Sequence, residues 1–260
     1  MTRTFTSIAA LALLLATAAS CSSDADSSST STIAATTPDA TIEPAPATAP
    51  ETTAAPETTA AATAPADITF TAEVWVDNWF SLTVNGVAIG EDSVSITTER
   101  SFNSETFTFT ATYPLTIALV SKDYKETDSG LEYIGEPNQQ MGDGGLIAQI
   151  TDTSTGAVVA VTGTDWKGLV IHRAPLDQSC VTSSDPDTEC TFEALDEPAG
   201  WTEPGFDDSA WVAATAYTAE QVGAKDGYLE IDWDPAADLI WTSDLKVDNT
   251  ILWRATVTAP

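Results

Sequence analysis

From Ile68 the chain alternates side chains of opposite character, with Phe70, Ala72, Val74 and Val76 on one parity and Thr71, Glu73, Trp75 and Asp77 on the other. A period of two sends successive side chains to opposite faces of an extended strand, and the β-branched residues in the run fit a pleated surface. The pattern continues through Phe80, Leu82 and Val84, then reaches Asn85-Gly86 and a second run, Val87-Ala88-Ile89. Asn-Gly between two such runs predicts a tight hairpin, because a type I′ turn needs positive φ at both central positions. Further strands are expected over Phe107–Thr110, Leu115–Val120, Leu146–Ile150, Ala157–Val161 and Thr250–Val257. Gly142–Gly145 and Ser183–Asp187 read as turns, and Asp207–Trp211 as one short helical turn capped by Asp207 or Asp208. Many short strands separated by turn signals predict an all-β sandwich.

That sandwich begins near residue 67. Residues 22–66 are Ser, Thr, Ala and Pro with scattered acids, without an aromatic residue or a Leu. Such a stretch buries too little apolar surface to offset chain entropy, so it reads as a disordered stalk. It would reach on the order of 140 Å as an extended rod and roughly 40 Å as a coil. Its Thr residues are candidate sites for O-glycans. Upstream, Arg3 precedes the apolar run Ile8–Ala16, too short to cross a bilayer and the right length for the core of an export signal. The expected division is a signal peptide over 1–20, a linker over 21–66 and a folded domain over 67–260.

Ala18-Ala19-Ser20-Cys21 resembles the lipobox of bacterial lipoproteins, in which the Cys receives a diacylglyceryl group and becomes the new N-terminus. Ordinary secretion with cleavage near Ala18 is the other reading. The cysteine count favours the lipid. The chain has three Cys, and in an oxidising exported compartment Cys180 and Cys190 are expected to pair, a short loop worth about 2–3 kcal/mol. Cys21 is then the odd thiol, and acylation accounts for it; two or more acyl chains make a stable anchor to the outer face of the cell membrane. Zinc is a poor alternative, since His172 is the sole histidine.

The chain carries 39 Asp and Glu against 9 Lys and Arg, a net charge of −30. That surface repels phosphate backbones, so nucleic acid is excluded as a partner. Solubility in a salty or cation-rich medium explains the charge; a specific cation site is the sharper alternative.

Several phrases, in order along the folded region, resemble the galactose-binding-domain-like jelly rolls found beside glycosidases and in surface proteins. Val76-Asp77-Asn78-Trp79 through Asn85-Gly86 resembles their first hairpin, Gly144–Ile150 their central strand, and Thr164-Asp165-Trp166-Lys167 the corner after it. Phe206-Asp207-Asp208-Ser209-Ala210-Trp211 resembles a Phe-Asp-Asp-Ser-x-Trp turn, and Leu239–Thr242 with Leu252-Trp253-Arg254 the closing pair. The resemblance implies a jelly-roll β-sandwich. It also implies a structural calcium, for which Asp77, Asn78, Asp207 and Asp208, all in motif turns, are the ligand pool; the other reading is that these four cap turns. Trp166, Trp211 and Trp241 are expected in the core, and Arg254 is expected to pair with a carboxylate.

No Gly-x-Ser-x-Gly elbow, phosphate loop or His-Glu-x-x-His occurs, and His172 alone reads as structural, so an enzyme is not expected. Three classes remain. First is a lipid-anchored module presenting a non-catalytic carbohydrate- or ligand-binding sandwich to an extracellular polysaccharide or glycoprotein. A passive structural or adhesion domain is second, and an extracellular glycan-processing enzyme third. For the first, parity puts Trp75 and Trp79 opposite the aliphatic face, so these two rings are the expected ligand contact. The competing reading is that the loop Arg100–Thr106, or the stretch Ala174–Glu203, folds over them as a second minor core.

Overall fold

The computed structural model describes residues 66–98 and 100–260. The expected signal peptide, the linker and Cys21 lie outside the described residues. Along the chain come β1 (Ile68–Asp77), β2 (Trp79–Val84), β3 (Val87–Glu91), β4 (Ser104–Ala111), β5 (Leu115–Lys122), β6 (Leu131–Glu132), β7 (Gln140–Met141) and β8 (Gly145–Asp152). They are followed by β9 (Ala157–Val161), β10 (Lys167–Arg173), the one-turn helix α1 (Pro186–Glu189), β11 (Glu193–Ala194), β12 (Val212–Ala213) and β13 (Thr215–Tyr217). The helix α2 (Ala219–Val222), β14 (Leu239–Trp241) and β15 (Asp248–Val257) close the order.

Two antiparallel sheets result. One runs β13-β14-β8-β1-β4, with β9 also on β8; the other runs β11-β10-β15-β5-β2-β3, with β12 also on β10. The core between them is built from one parity of each strand: Phe70, Ala72, Val74 and Val76 of β1, Phe80, Leu82 and Val84 of β2, Leu115, Ile117 and Leu119 of β5, and Ile251 and Trp253 of β15. Each fully buried side chain of this size contributes about 1.5–3 kcal/mol. The Asn85-Gly86 turn forms as expected, with φ of 52° and 76°. Trp166, Trp211 and Trp241 are buried.

Part of each outer face is covered as well. On the first sheet Trp75 and Ile147, registered across β1 and β8, pack with Val222, Leu239, Phe102 and Tyr228. On the second, Ala118, Val120 and Leu252 pack with Trp201, Trp211, Phe206 and Trp79. The Arg254 guanidinium holds this cover down: its Nε donates to Asp208 Oδ2 at 2.9 Å, and Nη1 donates to the Trp201 carbonyl. A Cys180–Cys190 disulfide, Cα–Cα 5.5 Å, joins Leu131 and Met141 in a satellite cluster.

The local expectations fail at two turns. Asp207–Trp211 is not helical: the Asp207 carboxylate takes the Ser209 N–H at 3.0 Å, and Val212-Ala213 immediately leave to pair with β10. Within Ser183–Asp187, Pro186 instead opens α1, where a missing N–H costs nothing. The helix α2, opened by a reciprocal Thr218–Gln221 capping box and closed at Gly223 with φ 73°, has no counterpart in the sequence pattern.

Candidate functional site

Registry across the second sheet lines up four residues. Trp79 pairs with Lys122, Lys122 with Thr250, and Thr250 with His172, a row across β2, β5, β15 and β10. Paired residues share a face, and here it is the outer one, which Trp79 and the neighbouring Val120 and Leu252 also occupy. His172 reaches that face because of a break in register. Val170 pairs with Ile251 and His172 with Thr250, so Ile171 is the extra residue of a bulge. A bulge puts two consecutive side chains opposite one and re-aims them; without it, strict alternation would turn His172 towards the core beside Val170.

A groove of about 700 Å³ opens over this row, with Lys122, His172 and Thr250 in its lining, Ile171 and Leu195 as apolar wall, and Thr97, Glu126 and Glu197 among its polar groups. His172 is buried, and neither ring nitrogen has a hydrogen-bond partner. Its ring stacks on exposed Phe192, centroids 5.7 Å apart, and Asp128 Oδ1 stands 3.5 Å from Nε2. Burial, followed by the nearby Lys125 charge, pushes its pKa down to about 4. At neutral pH the imidazole therefore presents one donor and one acceptor. A second groove of about 820 Å³ runs from His172 along the edge of β10 past Phe192, Leu195 and Val212.

The charged groups here differ in their commitments. Glu126 Oε1 accepts the Ile134 N–H at 2.7 Å, and Glu197 Oε2 accepts Trp201 Nε1–H at 3.0 Å. Lys125 pairs with Asp128. The Lys122 ammonium stands 4.9 Å from the Trp79 ring centroid and, among the described residues, makes no ion pair.

The expected residues separate. Trp75 is fully buried; its Nε1–H donates to the Phe102 carbonyl at 3.0 Å, and Tyr228 packs edge-on against it. It offers no surface to a ligand, because the 100–106 loop covers it. Trp79 is half-buried on the outer face, partly covered through Trp201, and lies at the end of the polar row. Each candidate loop thus covers one ring.

The expected calcium pool is not brought together. Asn78 Oδ1 accepts the Tyr124 N–H at 2.6 Å, and its own N–H donates to the Lys122 carbonyl. Asp208 is engaged by Arg254, which registers with Ala118. Ala118 and Lys122 are four positions apart on β5, about 13 Å. Asp207 caps its own turn. Asp77 instead sits near Asp123, Glu132 and Asp143. Asp77 and Asp123 are buried, and Asp123 Oδ1 lacks a hydrogen-bond partner. Burial first, then these neighbouring carboxylates, raises both well above the usual carboxylate range. Among the described residues, no three carboxylate, imidazole or thiolate groups converge to hold a metal ion.

The fold and the groove define an all-β sandwich with a polar site on one sheet face. No family model matches the chain, and no curated protein or solved structure matches it either. Lys122 and the aim of His172 escaped the sequence reading, the latter because a bulge leaves no mark in the strand pattern beyond the apolar pair Val170-Ile171 running into His172.

Proposed function

We propose that the chain is a surface lipoprotein, anchored through Cys21 and held off the membrane by residues 21–66, whose sandwich binds a saccharide without transforming it. The observation that carries this reading is His172: a buried imidazole in the wall of an open groove, with no hydrogen-bond partner on Nδ1 and only Asp128 Oδ1, at 3.5 Å, beside Nε2. Buried polar groups are almost always paired, and a sugar hydroxyl can either donate to the bare ring nitrogen or accept from the protonated one, once a turn of the ring uncovers it to the groove. The exposed Phe192 face and the Trp79–Lys122 pair add apolar and polar contact on either side. The order of motif phrases resembling galactose-binding-like jelly rolls supports the same reading, as analogy. Glu126 and Glu197 each already hold a protein N–H, which suits holding a ligand better than acid–base turnover.

The test is a glycan panel probed with purified full-length protein, followed by calorimetry on any hit with wild type and His172→Phe. Micromolar to millimolar binding that the variant loses supports the proposal. Silence across neutral and acidic glycans alike returns the domain to a structural or adhesive role.

A further inference from the structure

Resting on that reading, we infer that the saccharide carries a carboxylate, which pairs with the Lys122 ammonium while a hydroxyl of the same sugar meets His172. The geometry is the row itself. Thr250 pairs with Lys122 on one side and His172 on the other, so the two flank it across β15 at two strand spacings, about 10 Å between backbones. The Lys122 ammonium lies over Trp79 on β2, on the side of β5 away from His172, so a sugar with a carboxylate at one edge and hydroxyls at the other must reach across Thr250 to meet both. The ligand-facing charge is uneven. Glu126 and Glu197 are engaged by Ile134 and Trp201, Asp128 by Lys125, and Lys122 only by the Trp79 ring among the described residues. A cation on an aromatic face keeps its donors free on the other side, so Lys122 can give them to an oxyanion.

The overall charge of −30 argues for repulsion of an anion, and distance decides against that argument. At physiological ionic strength the screening length is about 8 Å, so carboxylates outside the groove act weakly in it, whereas Glu126 and Glu197 in its lining keep their charge and oppose an anion there. A contact ion pair inside it is screened far less. The excess acid slows the approach of an anion without cancelling the local pairing.

The experiment compares a neutral oligosaccharide with its uronic-acid counterpart, which differs only in the C6 carboxylate. Both are titrated into purified full-length protein at low and physiological salt. The acid form is expected to bind at least about tenfold tighter at physiological salt, where the repulsion from the domain's net charge is screened, and with a smaller margin at low salt. Lys122→Gln brings it down to the affinity of the neutral form, whereas His172→Phe weakens both. Equal binding of the two forms, or equal weakening of both by Lys122→Gln, overturns the carboxylate assignment and leaves the saccharide site standing. If neither form binds, the site reading falls and this inference with it.

Discussion

Lys122 and His172 face one another across Thr250, brought to the same face of the sheet by a bulge that strict strand alternation would not allow. One supplies an ammonium on an aromatic ring, the other an imidazole stacked on Phe192 with Asp128 Oδ1 3.5 Å from its Nε2.

Trp75 and Trp79 should respond differently to removal. Trp75→Ala empties a fully buried site and is expected to cost about 3–5 kcal/mol in chemical denaturation. Trp79→Ala strips a half-buried ring and is expected to cost at most about 2 kcal/mol, while weakening ligand binding by freeing the Lys122 side chain. Equal stability losses would contradict the placement of the two rings.

How much of this was legible depends on the residue. Period-two alternation placed the core face of β1 and β2, and Asn85-Gly86 placed the β2–β3 hairpin, because both are local properties of the chain. The same parity put Trp75 and Trp79 opposite the main core, which is correct. It says nothing of what covers that opposite face. Phe102 and Trp201 do so from segments that lack periodicity of their own. The calcium pool failed for a related reason: Asp77 and Asp208 sit in similar motif turns, but the distance between those turns is set by register along β5.

Arg254 is buried, and Asp208 is its carboxylate partner. Asp208→Ala leaves a buried guanidinium without a counter-charge, and a loss of about 3 kcal/mol is expected. The cover over the second sheet should loosen with it, seen as faster amide exchange at Trp201 and Trp211. A change below about 0.5 kcal/mol would mark the pair as an ordinary surface contact.

Asp123 predicts an acid-side gain in stability. Its pKa is raised in the fold, so between the unfolded value near 4 and the raised value the native state holds the extra proton. Stability from this group therefore falls as pH rises through that window. Asp77 acts in the same sense. His172, with its pKa lowered to about 4, acts oppositely: its contribution falls as pH drops from about 6.5 towards 4. Comparison within variants isolates the carboxylate. Asp123→Asn should melt higher than wild type at pH 7, with the difference closing as pH approaches 4. A pH-independent difference would show that the charge of Asp123 is not what the fold pays for.

Cys21→Ser tests the anchor. With the lipid lost, the protein should appear in the medium or accumulate unprocessed, and it should leave the detergent phase on partitioning. Partitioning identical to wild type would contradict acylation at Cys21.

The most direct measurement is the pair of stability and affinity for His172→Phe in the full-length protein. The substitution removes two unsatisfied buried nitrogens and keeps a ring against Phe192, so stability should hold or rise by about 1 kcal/mol. Saccharide affinity should fall at least about tenfold. If stability drops and affinity is unchanged, His172 is a structural residue and the groove is not the binding site.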